Sequence, residues 1–176
     1  MDRSEVAMKI EIREMTTVDD ATAFRTLNEE WITKIFTLEA KDVEILDNPQ
    51  QMIVDKGGRV FVVLANGEAV GCVALIPIQG GVFELSKMAV SPKMRGMGIG
   101  RRLIEFAIAQ ARDLGAKSLF LGSSTKLPDA VHLYETVGFQ HVAPERLPPN
   151  PYVRANVFME MALSVESDKS ERDLIG

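Results

Sequence analysis

A glycine-rich turn joins two patterned segments in the stretch KMAVSPKMRGMGIGRRLIEF, Lys87 to Phe106. The segment before it, Val82 to Val90, is predicted to be a strand. After it, apolar residues recur on one helical face until Gly115 ends the helix. Glycines at a strand-to-helix turn let backbone N–H groups approach an anion, and the helix N-terminus adds partial positive charge. The stretch therefore predicts a β-turn-α unit with an anion site at its turn.

The flanking residues place this unit in a mixed sheet. A helix over 98–114 followed by a short apolar strand at 118–122 makes a βαβ crossover, which predicts two parallel strands. Asn66-Gly67 between two β-branched runs predicts a tight antiparallel hairpin. Further predicted elements are strands at 8–15, 139–143 and 152–163, a helix that starts near Thr17, a short helix within 47–58 and a helix at 128–137.

Composition limits the classes of partner and compartment. The chain has 176 residues and a net charge of −5 with no long basic block, which argues against nucleic acid. A lone cysteine, Cys72, excludes an internal disulfide framework and favours a reducing compartment. The sequence shows neither a signal peptide nor a membrane-spanning apolar run, so a cytoplasmic location is predicted. We expect one domain over 8–163, a polar, frayed tail at 164–176, and a stiff loop where four prolines fall within 144–151.

Three interpretations of the glycine turn compete. A P-loop requires Gly-Lys-Ser/Thr, whereas Arg101 and Arg102 follow Gly100 here. A dinucleotide fold requires Gly-x-G-x-x-Gly spacing and an acidic residue closing the next strand, and both are missing. The third interpretation is a pyrophosphate cradle, in which Arg95 and Arg101 add full charges to the backbone N–H groups. This interpretation fits the spacing best.

The motif Arg95-x-x-Gly98-x-Gly100 resembles the acetyl-CoA signature of the GNAT family of N-acetyltransferases. HLYETVGF at 132–139 is similar to that family's LYEKxGF motif, and ELSKMAVSP at 84–92 resembles its fourth strand. The resemblance extends from Met8 to Leu163. It implies an α/β acyl-CoA N-acyltransferase fold, with a splayed, twisted, mixed sheet and helices on both faces.

The same resemblance implies which residues bind acetyl-CoA. The turn would hold the pyrophosphate, and the strand backbone would bond the pantetheine arm and stabilise the oxyanion. A serine after the fifth strand stands where the family often has an asparagine. The implied cofactor-binding residues are Met88, Ala89, Val90, Arg95, Gly96, Met97, Gly98, Ile99, Gly100, Arg101 and Ser124.

Two residues are candidates for acid–base work. An alkylammonium acceptor, with a pKa of about 10.4, must lose a proton before it attacks. Glu84 is the candidate base, because it lies four residues before Met88 and so on the same strand face by the period of two. Tyr134, the tyrosine of the LYE motif, is the candidate acid for the departing thiolate. The alternatives are a solvated glutamate at a strand start and a tyrosine packed on the sheet.

The acceptor site is expected near the first helices. Glu30 is a candidate to attract an ammonium group and Trp31 to form a wall, although Glu30 and Lys34 also fit an exposed i,i+4 pair. Arg154 is a candidate to hold an acceptor carboxylate, which would indicate an amino-acid-like substrate. His132 and His141 lack neighbours at ligand spacing, so no metal is expected.

The predicted function is transfer of the acetyl group of acetyl-CoA to a primary amine of a small molecule, an amino-acid-like compound or a peptide, by direct attack in a ternary complex. An alternative is a catalytically weak acetyl-CoA sensor or interaction module. Nucleotide binding is a third possibility, which stabilisation by NAD or ATP rather than CoA would reveal. The sequence leaves open both the acceptor's identity and a homodimer.

Overall fold

A computed structural model describes residues 7–147 and 152–163 of the chain. The strands are β1 Ile10–Glu14, β2 Arg59–Ala65, β3 Glu68–Pro77, β4 Val82–Val90, β5 Ser118–Ser123, β6 Gln140–His141 and β7 Val157–Ala162. The helices are α1 Val18–Ile35, α2 Ala40–Asp47, α3 Pro49–Met52, α4 Ile99–Asp113 and α5 Pro128–Val137. Short 3-10 turns occupy Val54–Lys56, Gln79–Gly81, Pro92–Met94 and Pro144–Arg146.

The strands form one mixed sheet in the order β1-β2-β3-β4-β5-β7-β6. Among the strands of the described residues, only β4 and β5 pair in parallel, through the α4 crossover, and the other neighbours are antiparallel. This confirms the predicted mixed α/β sheet and its βαβ unit. The β2–β3 hairpin also forms as predicted, with Asn66 and Gly67 both at positive φ.

Each face of the sheet is covered by its own helices. On one face α4 buries Leu103, Ile104 and Ala107 against the sheet, and α5 adds Tyr134. On the other face α1 buries Phe24 and α2 buries Ile45. The amphipathic spacing of α4 explains its placement, since its apolar residues share one side of the helix.

A β-bulge in the middle of β4 reverses the faces of its residues. Leu85 opposes Leu75 of β3 and joins the α4-side core, whereas Ala89 opposes Cys72 and joins the α1-side core. The register slips by one residue between these pairs, and Lys87 takes a φ of +53° at that point. Positive φ is uncommon for a residue with a side chain. The bulge therefore places a strained lysine at the centre of the sheet.

Other boundaries differ from the sequence predictions. Helix α2 was not predicted, and the short helix expected in 47–58 divides into α3 and a 3-10 turn before Gly57. The closing strand begins only at Val157. Helix α1 starts at a capping box of Thr17 and Asp20, as the sequence indicated. Part of the predicted proline loop, 148–151, and the predicted tail at 164–176 lie outside the described residues.

Candidate active site

A large cleft opens where β4 and β5 separate. The two strands pair only from Val82↔Ser118 to Glu84↔Phe120, although β4 continues to Val90 along β3. Beyond that point both strands line a cleft of about 1190 Å³. Within the part of the chain that the structure describes, the β4 edge that faces β5 thus has no strand partner over its second half. Such an edge offers backbone groups to an extended ligand in the manner of an added strand.

The glycine turn lies at one end of this cleft. Gly96 and Gly98 have φ of +77° and +72°, and Gly98 is the N-cap residue of α4. The first bond of the helix runs from the Arg102 N–H to the Gly98 carbonyl, so the N–H groups of Ile99, Gly100 and Arg101 precede the helical ladder. These donors and the helix dipole make the turn a site for an anion.

Most of the predicted site residues line the cleft. Met97, with 47% of its surface exposed, and the exposed Glu30 do not. The members that do are Trp31, Glu84, Met88, Ala89, Val90, Arg95, Gly96, Gly98, Ile99, Gly100, Arg101, Ser124, Tyr134 and Arg154. Arg101 also lies 2.9 Å from Glu105 on the exposed side of α4. The cleft therefore unites residues that sequence reasoning placed in one site.

Glu84 lines the cleft, but not by the geometry predicted. It opposes Ile76, which packs on the α1-side core, whereas Met88 packs on the α4-side core. The expectation that Glu84 and Met88 share a face is wrong, because the bulge at Lys87 interrupts the period of two. Burial raises the pKa of the Glu84 carboxyl above its ordinary value, and the charge of Lys87 opposes this shift.

Tyr134 and Ser124 lie on the β5–α5 side. Tyr134 is 7% exposed and meets Phe139 edge to face at 5.9 Å. Burial raises the pKa of Tyr134 to about 12, so its hydroxyl stays protonated at neutral pH. Ser124 Oγ accepts a bond from the Lys126 N–H at 3.1 Å, which closes a turn before α5.

A chain of hydrogen bonds to buried residues fixes the indole of Trp31. Its Nε1 donates to Asn28 Oδ1 at 3.0 Å, and Asn28 Nδ2 donates to the Phe24 carbonyl and to Cys72 Sγ. Asn28 and Cys72 are both fully buried. Burial raises the pKa of Cys72 to about 12, so its thiol stays protonated and is not activated as a nucleophile. Trp31 is thus a preset wall of the cleft.

A buried charge cluster, which sequence reasoning missed, lies beneath the α1-side wall. Lys87 Nζ lies 2.9 Å from Asp42 Oδ1 and donates to the Tyr152 hydroxyl at 2.9 Å. Arg154 donates two hydrogen bonds, of 2.6 and 2.7 Å, to the same Asp42 carboxylate. It also donates one to Glu39. The local signal of this cluster in the sequence was Lys87 itself, a charged residue near the middle of the strand β4.

The cluster changes the interpretation of Arg154. Both of its terminal nitrogens bond carboxylates of α2 and its N-cap, so the bidentate fork is occupied by Asp42. We therefore withdraw Arg154 as the clamp for an acceptor carboxylate. Burial opposes ionisation of Asp42, but Arg154 and Lys87 outweigh it and hold the pKa of Asp42 at about 2.

Comparison with known proteins decides the family. The sequence profile of the acetyltransferase (GNAT) family matches residues 22–139. The chain belongs to the GNAT acetyltransferase family. Its fold is that of a family whose enzymes use acetyl-CoA, and the resemblance noted in the sequence is confirmed.

Several GNAT relatives support this assignment. An uncharacterized N-acetyltransferase of Schizosaccharomyces pombe, C1271.07c, is 31% identical over 82% of this chain and 90% of its own length. An uncharacterized N-acetyltransferase of Escherichia coli, YjgM, is 36% identical over 55% of this chain and 60% of its own length. The match therefore spans less than two thirds of the E. coli protein.

Solved structures share the GNAT fold. A GNAT acetyltransferase from Staphylococcus aureus superposes with a TM-score of 0.80 at 22% identity, covering 88% of this chain and 99% of that one. The spermidine N-acetyltransferase of Vibrio cholerae, solved with CoA and spermine, gives a TM-score of 0.66 at 25% identity, covering 88% and 96%.

Two features are absent from the described part of the chain. Within residues 7–147 and 152–163, no helix is both long and apolar enough to cross a membrane. In the same residues, no group of three or more His, Cys, Asp or Glu side chains is arranged to hold a metal ion.

Proposed function

We propose that this GNAT protein is an N-acetyltransferase that binds acetyl-CoA in the β4–β5 cleft and acetylates a primary amine by direct attack. The observation that carries the proposal is the splay itself. The strands part immediately after Glu84 and Phe120, and the gap leads to the free N–H groups at the start of α4. An extended ligand with a pyrophosphate at one end matches both features.

The residues at the α4 end fit the pyrophosphate of acetyl-CoA. A β-carbon at Gly96 or Gly98 would meet no atom within 4 Å, so the space beside the turn is open. Arg95 lines the cleft beside them and its exposed guanidinium matches phosphate oxygens. Acetyl-CoA, when bound, supplies the activated acetyl thioester.

Residues of the chain then bind the rest of the cofactor and transfer the protons of the proposed reaction. Backbone groups of Met88 to Val90 hold the pantetheine arm and the thioester carbonyl oxygen. Glu84, with its raised pKa, accepts the proton of the acceptor ammonium directly or through water. Tyr134, protonated at neutral pH, donates to the departing sulfur. Trp31 forms one wall of the acceptor site.

The relatives do not define the acceptor. One from Azospirillum brasilense, 36% identical over 60% of this chain and 68% of its own length, is named an IAA acetyltransferase, whereas the Vibrio neighbour is a spermidine enzyme. The small-molecule or peptide nature of the acceptor therefore stays a prediction. The homodimer and the cytoplasmic location, which the names of the relatives do not address, also stay predictions.

Two measurements on the full chain test the proposal. Thermal unfolding should shift upwards with CoA and not with NAD or ATP, because the turn lacks the elements of a nucleotide-reading fold. Release of free thiol from acetyl-CoA in the presence of amines should then exceed the rate without amine. Stabilisation by CoA with no amine-dependent release would support the acetyl-CoA sensor instead. Stabilisation by NAD or ATP alone would contradict both.

A further inference from the structure

Residues 152–156, here called the bridging segment, connect the two strands that separate at the cleft. At one end the Tyr152 hydroxyl accepts a hydrogen bond from Lys87 Nζ of β4 at 2.9 Å. At the other end the Asn156 N–H donates to the Ser123 carbonyl of β5 at 2.9 Å. Lys87 and Ser123 each lie three residues beyond the last paired residue of their own strand. The bridging segment therefore joins β4 to β5 again after their ladder has stopped.

Charged groups anchor the β4 end of the bridging segment. Arg154 donates two hydrogen bonds, of 2.6 and 2.7 Å, to the fully buried Asp42 of α2. Glu39, the N-cap residue of α2, accepts one from Arg154 at 3.2 Å and one from the Val153 N–H at 3.0 Å. Hydrogen bonds between ionised groups are shorter and stronger than neutral ones. This end is therefore bound to α2 as well as to Lys87.

One asparagine side chain anchors the β5 end. Asn156 Oδ1 accepts from the Thr125 N–H at 2.9 Å, and Asn156 Nδ2 donates to Thr125 Oγ1 at 3.2 Å. Thr125 belongs to the turn that follows β5. Both residues are exposed, and neither lines the cleft. A substitution of Asn156 therefore loosens this end without removing a side chain from the cleft wall.

The bridging segment is short, which restrains the gap between the strands. Its four Cα–Cα steps span at most about 14 Å. Neighbouring strands lie about 4.8 Å apart, so a gap that admits one extended, strand-like ligand measures about 9.6 Å. The segment is long enough for such a gap. The strands cannot separate much further unless the contacts at one of its ends break.

We propose that the bridging segment fixes the width of the β4–β5 gap, and that Arg154 and Asn156 are positioning residues for the pantetheine arm of CoA. The inference rests on the proposed function, which places this arm in the gap. Backbone groups of Met88 to Val90 bond one side of the arm, and β5 contacts its other side when it is held at the matching distance. Because both ends are attached beforehand, less conformational entropy is lost when CoA binds.

Loosening of the β5 end tests the inference. In the full-length protein, Asn156→Ala should raise the Kd for CoA about tenfold, as measured by calorimetry, because two hydrogen bonds of the bridge are lost. Asn48→Ala is the matched control, since Asn48 is also exposed and bonds through its side chain, to the Glu44 carbonyl, but lies outside the cleft. It should change the Kd by less than about twofold. Unchanged CoA affinity in Asn156→Ala would overturn the inference.

A fragment of the cofactor separates positioning from a general loss of stability. 3′-Phosphoadenosine 5′-diphosphate keeps the nucleotide and pyrophosphate of CoA but lacks the pantetheine arm. Its Kd should agree within about twofold between the native protein and Asn156→Ala, because the bridge acts on the arm and not on the glycine turn. An equal loss of affinity for the fragment and for CoA would indicate a general disturbance of the fold and would overturn the positioning role.

A double-mutant cycle tests whether the two ends act through one bridge. Arg154→Met removes the contacts with α2. A bridge that is released at either end no longer restrains the gap. The double variant Asn156→Ala/Arg154→Met should therefore bind CoA within about twofold of the weaker single variant. Multiplied losses would contradict a bridge. If Arg154→Met does not fold, Arg154→Lys replaces it, since lysine keeps the charge and loses the two-pronged contact.

These outcomes are measured by binding alone, so they are independent of acetyl transfer. CoA binding without amine-dependent release of thiol would contradict the proposed function, and the bridge would still be supported or overturned by the Kd values of the variants. A native protein that does not bind CoA would overturn both proposals.

Discussion

Lys87 Nζ lies 2.9 Å from Asp42 Oδ1, and only 3% and 0% of these two side chains are exposed. This ion pair joins the bulge of β4 to helix α2, and Arg154 joins both to the segment before β7. The bulge lies in the second half of β4, the part that lines the cleft. A buried pair of this kind costs desolvation free energy, so we infer that it holds the cleft's geometry.

Removing the lysine should destabilise the protein. Lys87→Met keeps the length of the side chain but removes the contacts that Nζ makes with Asp42 Oδ1 and with the Tyr152 hydroxyl. We expect a loss of at least about 2 kcal/mol in the free energy of unfolding, measured by urea denaturation. Lys56→Met, at an exposed site, should change it by less than about 0.5 kcal/mol. Equal effects of the two changes would contradict a holding role for the cluster.

The stability of the protein should depend on the ionisation of Asp42. Its pKa falls from the ordinary 3.8 to about 2 in the folded state, so its charge stabilises the fold above the ordinary value. This stabilisation is lost as the pH falls through the folded value. The difference in unfolding free energy between the native protein and Asp42→Asn should therefore be constant near neutral pH and shrink from about pH 4 to about pH 2. Asp47→Asn, at an exposed position, is the control for the loss of one surface carboxylate.

The proposed base should shape the pH–rate profile. Because burial raises the pKa of Glu84, kcat/KM should fall as the pH drops through that raised value. Glu84→Gln should reduce kcat/KM by about 100-fold and abolish this acid limb. Glu44→Gln, in the exposed face of α2, serves as the matched control. A Glu84→Gln profile parallel to that of the native enzyme would remove Glu84 from this role.

The proposed acid should affect turnover rather than binding. Tyr134→Phe deletes a hydroxyl that stays protonated because the pKa of Tyr134 is raised to about 12. We expect kcat to fall by at least about tenfold, with the Kd for CoA from calorimetry within about twofold of the native value. An equal loss in CoA affinity would instead indicate that the hydroxyl contributes to CoA binding, and an unchanged kcat would leave Tyr134 with a packing role alone.

Local signals were sufficient to predict the elements around the glycine turn. The glycine spacing, the amphipathic face of α4 and the Asn66-Gly67 hairpin each act over a few residues, and the structure places them as expected. The parallel pairing of β4 and β5 follows from the crossover rule. These features depend on neighbours in the chain, which a sequence displays directly.

The acceptor side depends on distant partners and on one irregularity. Arg154 and Asp42 are 112 residues apart, and no spacing rule joins them. The bulge falls at a lysine rather than a glycine, so the sequence gives no sign of it. An uninterrupted period of two therefore predicts that Glu84 and Met88 share one face, which is wrong. Helix α2, which supplies Asp42, has only eight residues and a weak pattern. Tertiary contacts therefore decide what local periodicity left undetermined.

A crystal structure of the protein with CoA tests the central claim most directly. The account predicts that the diphosphate lies within hydrogen-bond distance of the backbone nitrogens of Ile99, Gly100 and Arg101. It further predicts that the pantetheine arm runs between β4 and β5 along Met88 to Val90. Density for CoA at any other surface, or a β4–β5 gap that stays empty at saturating CoA, would contradict it.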